Sequence, residues 1–169
     1  MTAGTHVLAA IAVAALFNLP AIPAVAGSIL PDVDVKKGLP FPSKRTLFNS
    51  HRGITHHVAL PIILFLVSLW TKDFVNLQLG IYLLSFTLGY ASHLLLDALN
   101  PLGIPYTTKY YPRFSLKLMK SGRTGEIFVI LLLVSFLIFL VNRGKLGFET
   151  LFSGEIIKVI KTLAQEVVG

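Results

Sequence analysis

The 169-residue chain has no cysteine. It can therefore build neither a disulfide framework nor a thiolate metal site, and any metal must sit on imidazole, carboxylate or carbonyl ligands. The same absence leaves the redox compartment unreadable. Charge is also scarce: only 14% of the residues are charged, against about a quarter in an average soluble domain. With 54% hydrophobic residues and a mean hydropathy of +0.73, a soluble fold of this size could not hide its apolar surface, so the expected solvent is lipid. Acidic residues are the scarcer sign, 8 against 15 basic ones, for a formal charge of +7. The basic residues lie mostly in the connections around apolar segments, where a membrane protein carries its orientation signal and meets anionic lipid. The expected partner is thus the bilayer and not nucleic acid. Internal repeats and low-complexity runs are missing too, which excludes solenoids and disordered tracts.

The apolar segments are residues 7–30, 58–70, 77–99 and 127–141, followed by a tail over 149–168. A helix needs about 20 residues to cross the hydrocarbon core, so the second and fourth segments require help from their flanks. The first is interrupted by Asn18, Pro20 and Pro23, which predicts either a kinked span or a re-entrant hairpin. It also imitates a signal peptide, with AVA before Gly27 as a cleavage site, but MTAGTH has no basic n-region and retention is expected. The tail places Ile156, Ile160, Leu163 and Val167 at helical spacing, as in an amphipathic helix. The expected fold is all-α: a polytopic membrane bundle of about four apolar segments. Residues 1–148 form its membrane-embedded metal-site domain and 149–169 the C-terminal helix. Residues 31–57 hold Lys36, Lys37, Lys44, Arg45 and Arg52, and residues 100–125 hold Lys109, Arg113, Lys117, Lys120 and Arg123. Only Lys72 lies between the second and third segments, so the two basic connections are expected on the cytoplasmic face of the inner membrane.

All five histidines, His6, His51, His56, His57 and His93, and three of the four aspartates, Asp32, Asp34 and Asp97, lie beside or within apolar segments. Ionisable groups at membrane depth are expensive and usually face a cavity or a partner. In SHLLLDALNPLG, His93 and Asp97 are four apart, which stacks them on one helical face where they can share a divalent cation or orient one another. In GSILPDVD, Asp32 and Asp34 supply hard oxygen ligands, although Pro-Asp pairs are also ordinary turn chemistry. HRGITHH concentrates His51, Arg52, His56 and His57 at the entry to the second segment: imidazoles for a metal or a proton, a guanidinium fork for a phosphate, and Thr55 as a helix cap. If the chain turns back between Asn18 and Pro23, His6 and Asp32 approach the same face; a straight span separates them. Glu126 opens the fourth segment, where the helix dipole alone explains a carboxylate. Asn100, Pro101 and Gly103 punctuate the end of the third segment, and Asn100 can donate to an oxyanion.

Taken in order, TH near the start, GSILPDVD, HRGITHH, GYASHLLLDALNPLGIPY and GRTGEIF resemble the YdjM-like family of inner-membrane proteins, described as metal-dependent hydrolases. The order His, Asp, His and then H-x-x-x-D on a helix is also similar to the zinc-dependent phospholipase C and single-strand nuclease superfamily. That resemblance implies His6, Asp32 or Asp34, one of His51 and His56, His93 and Asp97 as ligands. No histidine follows His93, so one or two ions are implied in place of that superfamily's three, with Glu126 as a late candidate.

The resulting expectation is a metal-dependent hydrolase that attacks a phosphoester or similar bond of a membrane-resident phospholipid-like substrate with a metal-activated water. Its metal ligands are His6, Asp32, Asp34, His56, His93 and Asp97, with Zn²⁺ the first candidate ion. Asp34, His51, Arg52 and Glu126 are its catalytic candidates, Arg52 holding the anionic group and a spare carboxylate or imidazole acting as base. Two rivals use the same residues: a non-catalytic scaffold or regulator with a structural metal or polar core, and a metal or proton transporter.

Overall fold

In the computed structural model, described over residues 1–33, 46–48, 50–122, 124–147, 162 and 165, the chain is mostly helical. Among the described residues five α-helices have defined ends: α1 (Ala3–Leu16), α2 (Ala21–Ile29), α3 (Ala59–Phe74), α4 (Leu77–Ala98) and α5 (Thr124–Asn142). Short 3₁₀ turns cover Leu30–Val33 and Ile54–His56. The all-α expectation misses one feature, an antiparallel pair of two-residue strands, β1 (Ile104–Pro105) and β2 (Arg113–Phe114). Its physical reason lies in the loop after α4: residues 106–112 reverse the chain, and Gly103 (φ 63°) admits the Phe114 carbonyl where a Cβ would collide. Asp34 and, apart from residues 162 and 165, the expected C-terminal helix lie outside the described residues.

The first apolar segment is two helices and not one span. Asn18 adopts a left-handed conformation (φ 54°), which asparagine tolerates better than most residues. Leu19 N–H donates to Ala14 O at 2.8 Å and Asn18 N–H to Ala15 O at 3.3 Å. This is a Schellman ending with asparagine where glycine is usual. Pro23 then falls in the first turn of α2, where its missing N–H costs nothing. The resulting hairpin packs along α4. Its fit depends on small residues: Ala10, Ala14, Ala21 and Ala24 form a buried cluster. A Cβ on Gly27 would strike the Phe86 carbonyl, and one on Gly89 the Ala24 carbonyl, so the backbones of α2 and α4 touch directly. Ser85 Oγ donates to Pro20 O at 2.5 Å, which ties the hairpin's tip to the middle of α4. Asp97 lies twelve residues further along the same helix, about 18 Å away at the α-helical rise. The hairpin therefore enters and leaves the bundle at the Asp97 end, and with 14 and 9 residues neither arm is long enough to cross a bilayer.

Among the described residues two helices, α4 and α5, are long and apolar enough to cross a membrane. That supports membrane insertion for the expected bundle of about four apolar segments, but not a span for each, because the first segment is a hairpin and α3 has only 16 residues. Asn76 caps α4, its side chain accepting from Leu79 N–H at 2.8 Å. At the other end the chain after β2 crosses the α4 terminus, where Leu116 N–H donates to Ala98 O at 2.8 Å and Leu118 N–H to Leu99 O at 2.9 Å. These bonds satisfy carbonyls that a helix end leaves open. The same end of the bundle holds the titratable groups.

Candidate metal centre

His93 and Asp97 lie on one face of α4, as their four-residue spacing requires, and both are fully buried. Three other elements converge on them. The first turns of α1 bring His6, the 3₁₀ turn after α2 brings Asp32, and the 3₁₀ turn before α3 brings His56. The hairpin is what makes this possible: it returns the chain to the level of His6 before Asp32 is reached, so the two share one group of donors, as a straight span would forbid.

The closest set is His56, His93 and Asp97. His56 Nε2 is 3.2 Å from His93 Nε2 and 3.3 Å from Asp97 Oδ2, and His93 Nε2 is 3.5 Å from the same oxygen. Ligand atoms about 2.0–2.1 Å from a tetrahedral zinc stand about 3.3–3.4 Å apart, so the triangle has the dimensions of one face of such a site. Donor chemistry agrees with the distances. Ser28 O, 2.7 Å from His93 Nδ1, accepts that proton and leaves a lone pair on Nε2. Thr55 Oγ1, 3.1 Å from His56 Nδ1, is placed to hold the second ring in the same tautomer. Burial pushes the His56 imidazole below its usual pKa, against the pull of Asp97, which favours the neutral form that ligates. Asp97 Oδ2 has no hydrogen-bond partner among the described residues although it is buried. A buried carboxylate oxygen and two imidazole nitrogens aimed at one volume fit a divalent cation well.

The rest of the cluster surrounds this triangle. His6 stacks on His93 with ring centroids 3.7 Å apart, and its Nε2 is 3.6 Å from Asp97 Oδ1. Neither ring nitrogen of His6 has a hydrogen-bond partner among the described residues. Asp32 Oδ1 stands 3.8 Å from His56 Nε2 and 3.9 Å from His93 Nε2, with its side chain 25% exposed, so it closes the group on the solvent side. Asp97 Oδ1 accepts from Arg52 Nη2 at 2.7 Å and from the Met1 nitrogen at 2.8 Å. Arg52 sits at φ 55°, and Arg113 Nη2 donates to its carbonyl at 3.1 Å. A non-glycine residue in that region costs about 1 kcal/mol, and such strain gathers at functional sites.

Other expected residues fall elsewhere. His51 is half-buried, its ring 5.9 Å from that of His56, and it lines a cleft of about 340 Å³ beside Arg52. His57 is turned away from the cluster: its Nδ1 accepts from Ala59 N–H at 3.1 Å, which leaves Nε2 to donate to Thr107 O at 3.2 Å. Glu126 is occupied by backbone and hydroxyl donors. Its Oε1 accepts from Thr2 N–H at 2.5 Å and Thr5 Oγ1 at 2.7 Å, and its Oε2 from Gly122 N–H, so it ties α1 to the start of α5 and belongs to neither donor group. Ser28 was not legible beforehand, because it acts through a carbonyl that every residue possesses. Thr5 carried one faint signal, its place beside His6 in the opening TH.

The model of the YdjM inner membrane protein family matches residues 1–163. The chain belongs to that family. No curated protein and no solved structure matches it. Membership of YdjM agrees with the two apolar helices and places the chain in the inner membrane. The similarity to the zinc-dependent phospholipase C superfamily finds no support in these comparisons.

Proposed function

We propose that this YdjM protein is a metal-dependent hydrolase of the inner membrane that cleaves a phosphoester or similar bond in a lipid-like substrate, with its site at the cytoplasmic face. The observation that carries this reading is the triangle of His56 Nε2, His93 Nε2 and Asp97 Oδ2, with edges of 3.2, 3.3 and 3.5 Å. Three protein donors with a fourth side open are the usual pattern of a catalytic zinc. One ion is what the donors leave room for. Both donor groups draw on His93, whose Nδ1 is committed to Ser28, and Asp97 Oδ1 already serves Arg52 and the Met1 nitrogen.

Bound there, a divalent ion supplies a Lewis acid for a phosphoryl oxygen and makes a water more acidic. The chain's own residues do the rest. Arg52, beside the donors and at the base of the adjoining cleft, binds the anionic charge of the substrate. Asp32, on the exposed side of the donors, accepts a proton from the attacking water, with Asp34 two residues on as a second carboxylate. His51, in the adjoining cleft, delivers a proton to the leaving oxygen. His6, stacked on His93 from α1, backs the ring that ligates.

Elemental analysis of the detergent-purified chain tests the reading. About one zinc per chain is expected, lost in the His93→Ala, Asp97→Ala double variant, with hydrolysis of a phosphodiester lost in parallel. Metal-free wild-type protein, prepared without chelators, would sink it. One observation favours a second reading, a structural metal in a non-catalytic protein: the two groups of candidate donors together draw on four separate elements, so an ion among them fastens the fold. Chelation separates the two, since a structural site loses helix content and a catalytic one loses only turnover.

A further inference from the structure

Beside the metal donors lies a cleft of about 340 Å³, lined by His51, Arg52, Asn100, Leu102 and Lys120 among others. Among the described residues its charged lining has one sign: no carboxylate lines it, although Asp97 lies just behind it, bonded to Arg52. Arg52 is 8% exposed, so a buried guanidinium bridges the donor cluster and the cleft. Asn100, 3% exposed, is held by Ser121 Oγ donating to its Oδ1 at 3.2 Å, which turns the amide nitrogen towards Asp97 Oδ1 at 3.4 Å. Lys120 is exposed at the mouth and has no hydrogen bond or ion pair among the described residues. Apolar side chains stand next to these cations: Leu102 lines the cleft, and Leu116 and Leu118, just before Lys120, are 50% and 67% exposed.

Resting on the hydrolase reading above, we propose that this cleft is the phosphate subsite of the substrate, with Lys120 as a binding residue at its mouth and Arg52 at its base. A dianionic or diester phosphate meets an ammonium and a guanidinium there, which form charge-assisted bonds to its oxygens. The size suits a small polar head in a site of this class. The leucines beside it suit an acyl chain that stays in the bilayer. Phosphate is the shared chemistry, and it arrives either on a lipid or on a soluble phosphoester.

The test uses the full chain in a phosphate-free maltoside detergent, titrated calorimetrically with inorganic phosphate, dihexanoyl phosphatidate and dihexanoylglycerol, with metal content measured on each sample. Wild type is expected to bind the phosphate-bearing probes and not dihexanoylglycerol. Lys120→Ala is expected to weaken phosphate binding about tenfold, Lys120→Arg to restore it, and Lys109→Ala in the neighbouring cleft to leave it within about twofold. Equal affinity for the two phosphate probes assigns the subsite to the phosphate alone; tighter binding of phosphatidate assigns it to a lipid. Unchanged binding in Lys120→Ala, or dihexanoylglycerol binding as tightly as phosphatidate, overturns the proposal. Failure of the hydrolase reading looks different: metal is then absent while Lys120-dependent phosphate binding persists.

Discussion

The α1–α2 hairpin and α5 are both apolar, yet they are made of different residues and bury different parts of themselves. Alanine dominates the buried face of α1, where Ala9, Ala10, Ala12, Ala14 and Ala15 join Thr5 and His6. In α5 only Glu126, Val129 and Leu140 are buried, while Ile127, Phe128, Leu131, Leu132 and Ile138 are each more than half exposed. In lipid there is no hydrophobic gain from moving leucine from the acyl chains to a neighbouring helix, so burial selects small residues that let backbones touch, and large ones face outward. The difference also locates the chemistry. Tight packing of the hairpin on α4 holds His6, Asp32, His93 and Asp97 together, and α5 contributes a fastening through Glu126 but no donor.

The comparison breaks most visibly if the packed region tolerates loss of its central charge. Asp97→Ala leaves Arg52 and the Met1 nitrogen without their buried partner, and removing one partner of such a cluster costs about 3–5 kcal/mol. Loss of bound metal and a lowered Tm in detergent are both expected; a variant with wild-type Tm and metal would mean that the cluster carries neither. Gly89→Ala comes next. Its Cβ would collide with the Ala24 carbonyl, backbone against backbone, and overpacking of this kind costs about 1–3 kcal/mol. Leu132→Ala on the exposed face of α5 is the matched control, with an expected change of about 0.5 kcal/mol or less. Equal effects in the pair would erase the distinction between a packed hairpin and a lipid-facing helix. Glu126→Gln sharpens it, because the amide weakens the bonds from Thr2, Thr5 and Gly122 by about 1–2 kcal/mol and should leave the metal in place. A Glu126→Gln protein that unfolds no earlier but loses its metal would move Glu126 into the donor set.

Much of this was legible in the residue pattern. The apolar runs 58–70, 77–99 and 127–141 reappear as α3, α4 and α5 with ends shifted by a few residues. The break at Asn18 was visible as well, because proline and asparagine act locally. Whether that break bent a span or reversed it was not, since the reversal depends on Gly27 and Gly89 admitting the α2 backbone against α4, a contact between residues far apart in the chain. The pairing of His93 with Asp97 followed from helical period alone. Arg52 as the partner of Asp97 did not, because 45 residues separate them and nothing in HRGITHH marks which charge it will meet. The β1–β2 pair was invisible for a similar reason, being only two residues long on each strand.

A modest expected effect is the most discriminating about HRGITHH. His56 and His57 are neighbours with the same side chain, and only the turn that carries them decides which ring enters the cluster. His56 ends the 3₁₀ turn and points inward, fully buried; His57 already has extended backbone (φ −72°, ψ 132°), and its ring reaches out to Thr107 O and Ala59 N–H. His57→Ala is therefore expected to cost about 0.5–1.5 kcal/mol for those bonds and to keep the metal, while His56→Ala loses it. Metal analysis on the two variants decides the matter. Loss of metal in His57→Ala with retention in His56→Ala would reverse the assignment, and the half-buried start of α3, not the buried mouth of the hairpin, would then hold the centre.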